Sequence, residues 1–187
     1  MGKTRINANV FLYPMPVVLV GTMVKGKPNF MAVGWISRVN ANPPMLAIGI
    51  NKNHLTPEGI KENGTFSVNI PRADTVEKVD YCGIVSGRKA DKDGIFQIFY
   101  GEQKTAPMID DCTICMECRV FDTIELPTNY LIIGQITAAF AEEDCLTDNR
   151  PDVQKIDPLT LTMPDNRYWQ VGKYAGAAWE AGKGLKA

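Results

Sequence analysis

Apolar positions in this chain come in short runs separated by turn-forming residues. Most of the runs are β-branched or aromatic, which points to strands more than to helices. Val17 to Val24 is one such run; Lys25-Gly26-Lys27-Pro28 closes it as a turn cluster and Phe30 to Val39 resumes, predicting two strands joined by a hairpin. Asn42-Pro43-Pro44 stops the second strand, Met45 to Ile50 is a third, and Thr65 to Ile70 a fourth, ended by Pro71. Between the third and fourth, residues 56 to 64 carry the marks of a short helix: Thr56 to cap it, Pro57 at its first position, Glu58 in its first turn and Gly64 to end it. A second helix is expected from Ala73 to about Tyr81, with Val76 and Val79 facing inward. After an irregular stretch rich in Gly, Lys and Asp come two long apolar segments, Thr113 to Ile124 and Tyr130 to Phe140, and the tail from Arg167 is expected to be partly helical.

Many strands, few short helices and no regular β-then-α alternation argue against a doubly wound parallel sheet. The pattern predicts a mainly β chain forming a closed or nearly closed antiparallel barrel. No repeat or linker divides the sequence, so its 187 residues are expected to form a single domain, 1–187, large enough to bury a core without a disulfide or metal staple.

Charge removes several function classes. Lys and Arg total 20 against 21 acidic residues, with no basic block able to follow a phosphate backbone, so nucleic acid is not an expected partner. The apolar run near the start is interrupted by Pro14 and Pro16 and is too short to span a bilayer, and Ile6 stands where a myristoylation signal needs Ser or Thr. A soluble cytoplasmic protein is expected, and five irregularly spaced cysteines fit a reducing compartment.

Three of those cysteines, Cys112, Cys115 and Cys118, have the spacing of a bacterial iron–sulfur run, but Asp122 and Thr123 stand where the fourth cysteine and its proline belong. Cys112, Ile114, Met116, Cys118 and Val120 alternate with Thr113, Cys115, Glu117, Arg119 and Phe121, the period of a strand with one buried face. On such a strand Cys112 and Cys115 would lie roughly 10 Å apart on opposite faces, so structural thiols and no metal site are expected.

Residues 29 to 60 carry more chemistry. Asn51-Lys52-Asn53-His54 ends a strand where Thr56 opens a helix, so a cation, amides, an imidazole and unsatisfied helix N–H groups converge. That combination suits a phosphate, the plain alternative being a solvated strand-to-helix turn. His54, the only histidine, has no neighbouring nucleophile to serve. Trp35 lies between the small residues Gly34 and Ser37, where an aromatic ligand could rest against the main chain; a core tryptophan is the alternative. Gly176 to Gly184 only approximates a nucleotide-phosphate loop, with five residues between its glycines instead of four. The acids Glu142-Glu143-Asp144 could attract a divalent ion or simply form an exposed turn.

Taken in order, Tyr13-Pro14-Met15-Pro16-Val17, Gly26-Lys27-Pro28-Asn29 with Met31 and Trp35, Asn42-Pro43-Pro44, Lys52 and Thr56, Gly64 to Pro71, Asp80-Tyr81-Cys82-Gly83, Ser86-Gly87-Arg88, Asp91-Lys92, Tyr168-Trp169 and Gly182-Lys183 make the chain resemble the flavin reductase-like family of FMN-binding split barrels. The resemblance implies a homodimer of six-stranded antiparallel split β-barrels with FMN bound non-covalently near the subunit interface. It implies that the backbone around Gly34, Trp35, Ile36 and Ser37 contacts the isoalloxazine ring, that Asn51, Lys52, Asn53, His54 and Thr56 surround the phosphate, and that Ser86, Gly87, Arg88 and Lys92 close over the ribityl phosphate end. Relatives often have Thr or Ser where this chain has Ala32 or Gly34, and a small hydroxyl residue where it has His54.

Because a flavin carries its own redox chemistry, no catalytic side chain is required. The implied activity is electron transfer from NAD(P)H through FMN to free flavin, ferric iron or a protein acceptor. The alternative is an FMN carrier of the flavoredoxin type working between redox protein partners, and a third reading is a barrel holding another flat ligand such as haem.

Overall fold

The computed structural model describes residues 2–90, 92 and 94–185; Asp91 of the Asp91-Lys92 pair lies outside them. In chain order, Met15–Pro16 (β1), Val18–Val24 (β2), Lys27–Val33 (β3), Ile36–Asn40 (β4) and Met45–Asn51 (β5) precede the helix Thr56–Asn63 (α1). Thr65–Pro71 (β6) and the helix Val76–Ile84 (α2) follow, then the short strands Ile98–Phe99 (β7) and Met108–Ile109 (β8) and the long strands Cys112–Glu125 (β9) and Asn129–Ala141 (β10). Beyond them lie Leu146–Thr147 (β11), Arg150–Pro151 (β12), the helix Val153–Ile156 (α3), Leu159–Thr162 (β13) and Arg167–Gln170 (β14).

Seven strands form the main antiparallel sheet, in the order β3-β2-β6-β9-β10-β5-β4. Its two outermost strands are consecutive in the chain and joined only by Gly34 and Trp35. Three peptide steps reach at most about 11 Å, so the sheet must curl until its edges approach. Val33 of β3 and Ile48 of β5 accordingly share one buried cluster with Phe66, Val68 and Ile132. No ladder joins β3 to β4, which makes this an open barrel of seven strands and corrects the expected six.

Two local expectations are corrected as well. The run Phe30 to Val39 is two strands, because the chain leaves β2 as a partner at Val33 and joins β5 at Ile36. The hairpin before it turns on Lys25 and Gly26 alone, both with positive φ (50° and 78°), the geometry that matches strand twist in a two-residue turn. Lys27 and Pro28 already pair with Val24 and Met23, and the proline is tolerated because β3 is an edge.

A second cluster lies outside the curled sheet, under α2: Val17, Leu19, Phe30, Val79, Met108, Cys112, Cys115 and Leu159. Strands between two cores bury both faces. β9 therefore breaks the expected one-sided pattern: Thr113 and Glu117 are as buried as Cys112 and Cys118. Glu117 remains tolerable inside because its carboxylate accepts the N–H groups of Glu102 and Gln103 at 3.2 and 3.0 Å. A register shift where Ile70 meets Ile114 and Pro71 meets Cys112 brings Cys112 and Cys115 into the same outer cluster, not onto opposite faces. Cys118 joins the inner one, so the three thiols do not converge.

The helix expected from Ala73 begins with a 3₁₀ turn, Ala73–Thr75, and continues as α2 to Ile84. Its Val79 and Cys82 pack into the outer cluster. The start of the tail is a strand, not a helix: β14 pairs with β13, which pairs with β1. Among the described residues no helix is long and apolar enough to cross a membrane.

Candidate functional site

β5 delivers Asn51 to the start of α1, and local bonds shape the turn between them. Asn51 Oδ1 accepts the Asn53 N–H at 2.9 Å and its carbonyl accepts the His54 N–H at 3.1 Å. Lys52 turns away: its N–H donates to the Thr128 carbonyl, and its ammonium lies 2.6 Å from Glu125 Oε1 and 5.5 Å from the centre of the Tyr130 ring. Leu55, not Thr56, holds the N-cap position, with no side-chain hydrogen bond to the helix start. Thr56 is 2% exposed and spends its hydroxyl on β3, accepting Asn29 Nδ2 at 3.0 Å. The helix N-terminus is thus left without a side-chain cap, in the condition that suits an anion.

The facing wall is the segment after α2. Gly87 passes directly over Asn29; a Cβ there would overlap Asn29 Oδ1 and come within 3.0 Å of Leu55 Cδ2. Arg88 straps this segment to the helix start, pairing with Glu58 and reaching the carbonyls of Asn53 and His54 at 3.4 and 3.5 Å. Ser86 accepts the Arg88 N–H on its hydroxyl at 3.3 Å.

Lys92 completes the wall from within. It is only 5% exposed, and its ammonium donates to the carbonyls of Phe30 and Cys82 at 2.8 and 3.0 Å. An ammonium has three donors, and among the described residues no carboxylate pairs with this one. Burial pulls the Lys92 amine below its ordinary range, with Cys82 pulling the other way. Burial, and then the charge of Lys92, hold the His54 imidazole below its ordinary range.

His54, Thr56, Cys82, Ser86, Gly87 and Lys92 line one cavity of about 90 Å³, which Asn29, Leu55, Gly87 and Lys92 also share with an adjoining cleft of about 450 Å³. A buried cation without a carboxylate partner among the described residues, a serine hydroxyl and an uncapped helix start form a donor set that fits a phosphate monoester such as the one FMN carries.

Gly34 to Ser37 stand apart from this cavity. Trp35 is 51% exposed, so it is not a core tryptophan; its indole lies on Gly49, where a Cβ would meet Cε3 at 3.4 Å, and its carbonyl accepts the Gly49 N–H at 2.8 Å. Ile36 packs against the inner core, and the Ser37 hydroxyl donates to the Arg38 carbonyl at 3.2 Å. Because β4 is an edge, half of its backbone groups face outward, available to a flat ligand.

The structure therefore gathers His54, Thr56, Ser86, Gly87 and Lys92 at one cavity, keeps Arg88 on the adjoining cleft, and directs Lys52 elsewhere. Sequence reasoning missed Asn29, Met31, Leu55 and Cys82 as lining residues. Asn29, Met31 and Cys82 belong to blocks that carry the family resemblance, and Asn29 left a further signal as a small amide inside a strand, where such residues are depleted. At the acidic turn, Glu142, Asp144 and Cys145 lie close together, but Arg72 already supplies a positive charge there, 3.5 Å from Glu142 Oε2.

Comparison with known proteins identifies the family of the fold. The flavin reductase-like domain family matches residues 10–168. The crystal structure of flavoredoxin from Methanosarcina acetivorans superimposes with a TM-score of 0.96 at 63% identity, covering 98% of each chain. Flavoredoxin of Desulfovibrio vulgaris (Miyazaki F) superimposes at 0.90 with 32% identity, over 98% of this chain and 100% of that one. A high molecular weight rubredoxin of Moorella thermoacetica is 25% identical over 112 residues, 59% of this chain but only 49% of that protein. With the family covering most of its length, this chain belongs to the flavin reductase-like family.

Proposed function

We propose that this chain binds FMN non-covalently, as a homodimer in the cytoplasm, and is a flavin-dependent electron-transfer protein over residues 1–187. The observation that carries the reading is Lys92, a buried ammonium without a carboxylate partner among the described residues, facing the start of α1 across a small cavity. The phosphate is held by Lys92, His54, Ser86 and the N–H groups of the helix start, with Asn51, Asn53, Thr56 and Gly87 shaping the turn and the wall. Arg88 keeps that wall in place by binding the turn from outside. Lys52 adds only a more distant positive charge. The outward backbone groups of Gly34, Trp35, Ile36 and Ser37 position the ring, and the indole shields one side of it from water. The flavin would supply the redox chemistry when bound, and the protein would bind and orient it. Five buried cysteines with no disulfide among them go with a reducing compartment.

FMN titrated into flavin-free protein should quench its own fluorescence at one equivalent per chain, and Lys92→Met should weaken that binding. An unchanged affinity in the variant would defeat the assignment of the cavity to the phosphate.

Two forms of this reading differ in the electron donor. A reductase takes a hydride from NADH or NADPH; a carrier exchanges electrons with other proteins. The 63% identity to a flavoredoxin, and a relative named as a rubredoxin of which this chain spans about half, favour the carrier with a small redox protein as its partner. Anaerobic mixing with NADH and NADPH separates the two: rapid bleaching of the flavin band would establish the reductase, persistence of the band the carrier.

A further inference from the structure

Residues 171–185, beyond β14, form a segment that stands outside both cores, and every one of them is exposed. Its hydrogen bonds close on themselves: the Ala177 carbonyl accepts the N–H groups of Glu180 and Ala181 at 3.3 and 3.0 Å, and the carbonyls of Glu180 and Gly182 accept those of Lys183 and Leu185 at 3.0 and 3.1 Å. A Cβ at Gly172, Gly182 or Gly184 would meet no atom within 4 Å, so the segment keeps clear of the barrel near both its ends. The turns leave Trp179 92% exposed at φ 61°, a left-handed backbone that is unfavourable for so large a side chain, and Tyr174 and Leu185 are also largely open to water. Apolar exposure on this scale in one short segment marks a contact surface.

A complementary surface lies on the barrel. Ile132 of β10 belongs to the inner cluster, so its neighbours Leu131 and Ile133 point to the outside of the sheet. Ile124 of β9 pairs with Leu131, and on the other side Leu131 and Ile133 pair with Gly49 and Ala47 of β5. Ile124, Leu131 and Ile133 belong to neither buried cluster, unlike Leu19 and Phe30, which pack under α2. Beside them the ladder between β9 and β10 skips Phe121, a bulge that leaves its ring 64% exposed. Three adjacent strands thus present an uncovered apolar face, and Trp35, whose indole lies on Gly49, forms its border.

We infer that residues 171–185 of each copy of this chain dock, as exchanged arms, on the outward face of β9, β10 and β5 of a second copy. The inference rests on the homodimer of the proposed function and adds to it which surfaces make the dimer. Within one copy the two stay apart, since arm and face are both uncovered. Because one chain carries both, a two-fold pair satisfies each arm and each face at once. Two aromatic side chains on each of two arms bury roughly 600–1,000 Å², and the faces beneath them add a comparable area, which reaches the roughly 1,200–2,000 Å² of a stable interface. Fully extended, these fifteen residues span at most roughly 50 Å, enough to cross to a neighbouring barrel. Lys173 on the arm and Asp122 at the edge of the face are both exposed and carry opposite charge. Seated beside Trp35, the arm of one copy borders the segment proposed to hold the flavin ring of the other.

The test is sedimentation equilibrium of the full-length protein loaded with FMN, of Trp179→Ala on the arm, of Ile124→Asp on the face, and of the two variants mixed. Trp179 and Ile124 are exposed within one copy, so both variants should fold and keep the parent's circular dichroism spectrum. The parent should be a dimer, and Trp179→Ala should dissociate about thirtyfold more readily, with Ile124→Asp weakened as well. Mixing the two variants should restore part of the dimer, because a mixed pair keeps one unaltered arm on one unaltered face. A dimer of the parent's strength in both variants would overturn the arms and leave the homodimer standing; a monomeric parent would overturn both. A mixture that associates no more tightly than either variant alone would overturn the exchange of arm and face. Flavin content, measured separately on each sample, reports on the cofactor reading.

Discussion

Asn29 Nδ2 donates to Thr56 Oγ1 at 3.0 Å, a buried bond between side chains 27 residues apart, and the other end of the same amide lies directly beneath Gly87. One strand, one helix and the segment after α2 therefore meet at a single small polar group. The geometry of the candidate phosphate cavity depends on that junction.

Gly87→Ala should be disruptive although it adds one methyl group. Its Cβ would overlap Asn29 Oδ1, and neither the amide nor Leu55 can retreat far from a packed position. The expected cost is about 1–3 kcal/mol, read as a lower urea midpoint, with loss of flavin from the purified protein. A variant that keeps both its midpoint and its flavin would show that the segment is not held against Asn29.

Lys92 and Lys52 should separate cleanly. Lys92→Met removes a buried charge-assisted contact to the phosphate and should weaken FMN binding by ~10- to 150-fold. Lys52→Ala removes an ion pair with the largely exposed Glu125 and should cost no more than about 1 kcal/mol of stability. Flavin affinity in that variant should stay within about threefold of the parent. Isothermal titration of FMN into each variant measures the difference, and equal losses would place Lys52 at the phosphate after all.

The pH dependence follows from His54. Burial and the charge of Lys92 lower its pKa in the folded protein, while the unfolded chain titrates near the ordinary value of about 6.5. Below that value the unfolded state binds more protons, so the contribution of His54 to stability falls as the pH drops through this window. A bound phosphate opposes the shift, so FMN binding should take up a proton and tighten as pH falls from 7 towards 6. The phosphate's own protonation, near pH 6, acts in the other direction, so the comparison is with His54→Gln, whose profile should lack the tightening. Superimposable profiles would remove His54 from the site.

The cysteines should be chemically silent. Burial pushes the Cys115 and Cys118 thiols up to about 12 and Cys112 further, leaving almost no thiolate at pH 8. Ellman's reagent should label the native protein slowly if at all and then find five thiols in urea. Cys115→Ser should leave the visible spectrum unchanged; loss of a chromophore in that variant would reverse the structural reading.

Local patterning was enough for the strands of the main sheet, apart from the break between β3 and β4, and for a short helix between β5 and β6 ended by Gly64, because those features depend on neighbours within a few residues. Pro57, Glu58 and Gly64 mark the helix in any context, and the positive-φ pair Lys25-Gly26 marks its turn. The family resemblance added Ser86, Gly87 and Lys92, which no periodicity would have joined to residues thirty positions earlier. What only the folded chain decided depends on long-range packing. β9 runs between two cores, so alternation of polarity could not report which face is buried. Thr56 looked like a cap until Asn29 claimed its hydroxyl, and Lys92 looked like a solvated loop cation until the carbonyls of Phe30 and Cys82 drew it inside. A sequence records which groups can bond; the tertiary structure, by excluding water from some of them, decides which partners they must take.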